Sequence, residues 1–251
     1  MTAADCLCRT ARERLDEGNF AGAAEAARAG LLRDNFHAGL LQVYGVAAYH
    51  LNDSVGALAA LELASLSAPL DALARLTLAD LYARNGFPKA ARCAARFLAE
   101  PGRCPLSLMP DLARVLGSVG AYRTALKVCE RIVAARPWYH PAHYGIAYYL
   151  AKLEGPPARV LFHLRAAHEL VPHALTYRVA LADALAAAGE PEGACELIRE
   201  VPVAALGCPR SVARLQGAAE DAGEVLLAMR LRDRARELAG GLDNRPHDDP
   251  T

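Results

Sequence analysis

The chain has 251 residues, 53% of them hydrophobic, and its 28 basic side chains are matched by 28 acidic ones. That balance leaves no whole-chain field to attract nucleic acid or an anionic membrane surface, so neither is an expected partner. No apolar run approaches the roughly 20 residues needed to cross a bilayer, so membrane insertion is not expected.

The amino end, MTAADCLCRTARERLDEGN, carries acidic residues and lacks the apolar stretch of a secretory signal, which makes the cytoplasm the expected compartment. A first helical unit, about 4–37, has Ala11, Leu15, Gly18, Phe20 and Ala23 in register. Its second helix, AAEAARAGLLR, is almost all alanine, which suits either a thin terminal cap or a face on which another subunit docks. The second unit, 38–71, carries Tyr44, Gly45, Ala57, Leu61, Ala64 and Pro69, with Asn52-Asp53-Ser54 as its turn; Asn and Asp tolerate that geometry. The third, 72–105, reads LARLTLADLYARNGFPKAARCAARFLAE and breaks at Pro101-Gly102 and Pro105.

In the fourth unit, 106–139, Leu112, Ala113 and Leu116 put three apolar side chains on one helical face before Gly120 ends the helix. Tyr122, Ala125, Val128, Cys129, Ile132 and Val133 continue a second stripe until Pro137, which lacks an N–H donor, stops it. With Ser107 as cap, Pro110 falls in the first turn, where its missing donor is harmless. The fifth unit, 140–174, is preceded by Trp138-Tyr139 and holds Tyr144, Tyr148 and Tyr149; its turn, Glu154-Gly155-Pro156-Pro157, contains a one-residue insertion. The sixth, 175–208, runs through Gly189 and Ala194 to Pro202. A terminal helical pair, 209–239, ends in an arginine-bearing helix whose polar outer face suits a cap, and 240–251 is expected to be disordered.

One turn signature recurs: Gly18/Phe20/Ala23, Gly86/Pro88/Ala91, Gly120/Tyr122/Ala125 and Gly189/Pro191/Ala194. From Gly18 through Gly86, Gly120 and Gly189 to Gly223 the steps are 68, 34, 69 and 34 residues, a period of 34 with one insertion. Isolated helices shorter than about 12–15 residues are marginal in water, so such copies must stack. The period and residue types resemble the tetratricopeptide repeat, with its small residue where helices cross, its aromatic near the turn and its closing proline. The tryptophan-like position early in the first helix is Leu41, Arg75, Met109, His143 and Arg178 here, so the units are degenerate. The resemblance implies an all-α, right-handed solenoid of stacked hairpins, a single array over 1–239 that leaves no room for a catalytic domain.

No glycine-rich phosphate loop follows a strand and no Gly-x-Ser-x-Gly occurs, so no catalytic residue and no cofactor are expected. Cys6 and Cys8 lack the spacing and the second pair of a zinc site, and His140, His143, His163, His168 and His173 read as surface or capping residues, so no metal is expected. The odd count of seven cysteines, with Cys93, Cys129 and Cys195 inside helical patterns, argues against disulfides.

The resemblance further implies that first helices line a concave groove. The residues that fall there are Gln42, Leu76, Pro110, Tyr144 and Val179; then Val46, Asp80, Arg114, Tyr148 and Asp183; then His50, Arg84, Ser118, Lys152 and Ala187. The candidate partner-binding set drawn from this stripe and its edge is Gln42, Tyr49, His50, Leu76, Asp80, Arg84, Arg114, Tyr144, Tyr148, Lys152 and Asp183. The lysine and asparagines of the family's carboxylate clamp are missing: Cys8, Arg12, Gln42, Val43, Leu73 and Thr77 stand in those slots. A protein-binding scaffold that takes an internal or helical segment of its partner is therefore expected, with aromatic and arginine anchors centred on Arg114, Tyr144, Tyr148 and Lys152. Three alternatives stand beside it. The stripe is merely solvated, the tyrosines pack on Leu161 and Leu164 of their own hairpin, or the protein self-associates as a building block.

Overall fold

Short amphipathic segments separated by left-handed turn residues fold here into helical hairpins. The computed structural model describes residues 2–243, and every regular element among them is helical. The hairpins are α1 (Ala3–Asp16) with α2 (Phe20–Leu31), α3 (Ala38–His50) with α4 (Ser54–Ser67), and α5 (Ala72–Arg84) with α6 (Pro88–Ala99). They continue as α7 (Met109–Ser118) with α8 (Tyr122–Ala135), α9 (His140–Lys152) with α10 (Pro157–Leu170), α11 (Leu175–Ala188) with α12 (Pro191–Ile198), and α13 (Pro209–Asp221) with α14 (Val225–Asp243). The described residues divide into two compact units, one ending at Ile132 and the other beginning at Val133. α14 continues past Ala239, where the sequence places its end, to Asp243, and the rest of the expected tail lies outside the described residues.

All seven hairpin turns use one device. A residue with positive φ follows the first helix, and the next N–H bonds back to a carbonyl five residues earlier at 2.8–3.0 Å, as in Asn19 to Arg14 and Glu224 to Ala219. Glycine takes the left-handed position at Gly18, Gly86, Gly120, Gly189 and Gly223, but Asn52 and Glu154 take it in the other two. In the fifth hairpin the left-handed residue is thus Glu154 rather than the adjacent Gly155. The residue after the turn caps the second helix: the Asn19 and Asp53 side chains accept the Gly22 and Gly56 N–H groups, each at 2.9 Å. Proline stands in the first turn of α6, α10 and α12, where no donor is needed. Pro110 sits in the first turn of α7 as expected, although Leu108 rather than Ser107 is the cap residue.

Close crossing of the two helices requires small side chains. Ala23, Ala57, Ala91, Ala125 and Ala194, early in second helices, are fully buried. Gly45, Ala79, Ala113, Ala147 and Ala182, on first helices, are buried as well. In the first unit the alanines of α2 pack on Leu40, Val43 and Ala47 of α3, so that alanine-rich face is covered by the chain itself. Leu61, Leu78 and Leu81 extend a neighbouring core. The core of the second unit joins Leu161, Leu164, Leu185, Ile198, Leu215 and Leu231. Each such side chain contributes about 1.5–3 kcal/mol when buried.

At Gly45 two effects oppose each other. Alanine is the better helix former by about 1 kcal/mol. A Cβ there, however, would stand 2.5 Å from Leu61 Cγ and 3.2 Å from the Ala57 carbonyl oxygen. Overpacking costs about 1–3 kcal/mol, so Gly45→Ala is expected to lower the thermal midpoint. A midpoint that rises would mean that α3 and α4 separate freely.

Candidate partner-binding groove

Asp80 gathers half of the sequence-predicted residues of the first unit. Its carboxylate lies on α5 with a side chain only 5% exposed, and it pairs with Arg84 Nε at 2.6 Å and with Arg114 Nη1 of α7 at 2.9 Å. The Tyr49 hydroxyl of α3 donates to Asp80 Oδ2 at 2.6 Å and accepts from Arg84 Nη2 at 2.9 Å. Burial alone would raise the Asp80 carboxyl, but the Tyr49 hydroxyl and the two guanidiniums outweigh it and hold the group below its ordinary range. Tyr49, Asp80, Arg84 and Arg114 therefore satisfy one another across three successive first helices.

Of the remaining first-unit candidate residues, only His50 is exposed. Gln42 is buried and accepts the Asp71 N–H at 3.0 Å, while Asp71 itself caps α5. Leu76 is buried as well. His50 stacks on Phe20 with ring centroids 4.1 Å apart, and partial burial lowers its pKa.

The second unit differs. Tyr144, Tyr148, Lys152 and Asp183 all line one groove of about 850 Å³ formed by α9, α10, α11 and α13 and bordered by residues 205–208. Its walls are mostly small and apolar, with Ala147, Ala151, Val179, Ala180, Ala184 and Ala187 among them. Tyr144 is half-buried against the Tyr177 ring at 5.3 Å and packs on the core that holds Leu161 and Leu164. Tyr148 is 44% exposed, and Lys152 Nζ sits 5.6 Å from its ring centroid. Asp183 meets Arg214 of α13 at 2.8 Å. Its Oδ1 is buried without a hydrogen-bond partner, and burial pushes its pKa up, offset only in part by Arg214, the Ser211 hydroxyl and Arg210.

Two residues at this groove escape the sequence stripe. Arg214 stands on α13 three residues ahead of the repeat position that follows Asp183 by 34, so the period passes over it. Cys208 precedes α13, and the backbone N–H and hydroxyl of Ser211 lower its thiol pKa; its only sequence signal is the Cys-Pro pair before a helix. Of the histidines, His143 departs from the surface reading, while His173 is exposed. His143 is buried, its Nδ1 lies 3.1 Å from His163 Nδ1, and its Nε2 lies 2.9 Å from the Pro137 carbonyl oxygen. Among the described residues, no group of three or more His, Cys, Asp or Glu side chains could hold a metal ion, and no helix is long and apolar enough to cross a membrane.

No protein-family model matches the chain, and no curated protein matches it in sequence. Solved structures do match. One is pilF of Pseudomonas aeruginosa, with a TM-score of 0.63 at 16% identity over 81% of this chain and 92% of that one. A tetratricopeptide repeat protein of Parabacteroides merdae gives 0.57 at 16% identity over 94% and 93%. YrrB, described as a TPR protein with an unusual peptide-binding site, gives 0.57 at 16% identity over 68% and 88%. The chain has the tetratricopeptide-repeat fold, an all-α solenoid architecture.

The Asp80 cluster has a pH signature. A carboxyl held below its ordinary value of about 4 stabilises the fold above that pH, and the contribution disappears as pH falls through the lowered value. Arg84 and Arg114 are each more than half exposed, which screens the ion pairs. Replacing the carboxylate by an amide removes the charge and one of the two acceptor oxygens that serve the Tyr49 hydroxyl and both guanidiniums, which should still cost about 1–3 kcal/mol. Urea denaturation of Asp80→Asn should show that loss at neutral pH and converge on wild type in acid. A gap independent of pH would mean that Asp80 does not ionise as described.

Proposed function

We propose that the chain is a non-enzymatic cytoplasmic adaptor that holds a peptide or helical segment of a partner protein in the groove of its second unit. The observation that carries this reading is the groove itself. An alanine-lined concavity lets a partner backbone approach closely, while Tyr148 and Lys152 at its edge supply a ring and a cation for anchoring. The fold is shared with YrrB, whose description includes a peptide-binding site, and that supports a peptide ligand here. Self-association is a second reading, favoured by Val225, Leu226 and Met229, which α14 exposes to solvent.

Cys93 and Cys208 are both exposed, but only Cys208 borders the groove. A partner captured by the purified protein should protect Cys208 from alkylation and leave Cys93 reactive, and Ala184→Trp, which fills the groove, should abolish capture. Capture that survives Ala184→Trp with Cys208 unprotected would move the site elsewhere. Protection that grows with protein concentration in the absence of any partner, together with concentration-dependent sedimentation, would favour self-association.

A further inference from the structure

Asp80 and Asp183 occupy the same repeat position, each six residues before a left-handed turn glycine, Gly86 and Gly189. The three side chains that satisfy Asp80 have counterparts around Asp183 when counted back from their own turn residues. Tyr49 corresponds to Ala151, three before the turn residues Asn52 and Glu154. Arg84 corresponds to Ala187, two before the turn glycine, and Arg114 to Gly217, six before Gly120 and Gly223 respectively. Every donor of the first unit is replaced by a residue that has none.

The space is kept as well. Ala151 and Ala187 line the groove, and a Cβ placed on Gly217 would meet nothing within 4 Å. What remains for Asp183 is the ion pair with Arg214, helped by the Ser211 hydroxyl and by the charge of Arg210, while Oδ1 stays buried without a hydrogen-bond partner and a quarter of the side chain is exposed. Burial still outweighs these partners, so the partly buried carboxylate is under-compensated.

We propose that the second unit's groove takes a partner segment whose apolar face carries one arginine or lysine, and that this cation pairs with Asp183 in the place that Arg84 and Arg114 fill on Asp80. The proposal rests on the groove reading above and adds the chemistry of the ligand. The apolar flanks lie on the alanine wall and Tyr148, and the cation completes the carboxylate. The raised pKa of Asp183 has the matching sense, because burial disfavours its ionised form and an incoming cation offsets that cost.

The probes are three fluorescein-labelled Leu/Ala amphipathic peptides of about 15 residues with blocked termini, identical except for Arg, Gln or Glu at the centre of the apolar face. By fluorescence anisotropy the Arg peptide should bind at least about tenfold tighter than the other two, the scale of one charge-assisted hydrogen bond. Asp183→Asn, nearly isosteric, should erase the preference. Ala187→Arg, which supplies an internal guanidinium from the position of Arg84, should erase it too, with circular dichroism unchanged in both variants. Gln or Glu peptides that bind as tightly as the Arg peptide, or a preference that survives in Asp183→Asn, overturn the proposal. If all three bind equally and each protects Cys208 from alkylation, the groove stands and the charge assignment falls. If none binds or protects Cys208, the charge assignment falls, and the groove reading falls with it where Ala184→Trp also leaves partner capture intact.

Discussion

Close approach of two short helices is the constraint from which the rest follows. A helix of 8 to 14 residues, such as α12 or α4, gains little from its own hydrogen bonds and depends on burying an apolar face. Alanine at 23, 57, 91, 125 and 194, facing glycine or alanine on the first helices, brings the backbones near enough for leucines such as Leu61, Leu164 and Leu215 to be enclosed. The shared turn fixes the angle of entry. Within each compact unit they place successive first helices in the same register, so that residues one repeat apart come to lie on neighbouring helices.

That register allows one position to be used in two ways. Asp80 is closed by its own neighbours: a tyrosine on the preceding first helix, an arginine one turn on and an arginine on the following first helix. At Asp183 the same positions hold Ala151, Ala187 and Gly217, and a groove opens instead. The fold tolerates both arrangements because the position lies beside the crossing residues and not among them. A closed cluster stiffens the first unit; an open one leaves a carboxylate, a ring and a cation along an apolar surface.

The architecture was legible in the sequence because its cause is local. A left-handed turn residue, a capping residue or proline behind it and a small residue at the crossing leave a repeating imprint, which the 34-residue glycine spacing records. Asn52 keeps the imprint in a type that tolerates positive φ, whereas Glu154 hides it, since glutamate does not announce that geometry by type. The groove stripe was legible in part. The repeat step that joins Tyr148 to Asp183 is the step the structure uses, so Tyr144, Tyr148, Lys152 and Asp183 do line one surface. The same step also named Asp80, Arg84 and Arg114, with Tyr49 at the edge of the stripe, but periodicity assigns a face without recording that the side chains on it reach one another. Arg214, one turn out of register, and the part-buried His143–His163 pair depend on contacts between helices that no spacing records.

Fluorine NMR of protein labelled with 3-fluorotyrosine tests most directly whether the second unit's groove, and not the Asp80 cluster, receives the partner. On titration with the partner, the Tyr148 resonance should shift and broaden while that of Tyr49, already held by Asp80 and Arg84, stays in place. A shift at Tyr49 with none at Tyr148 would contradict it.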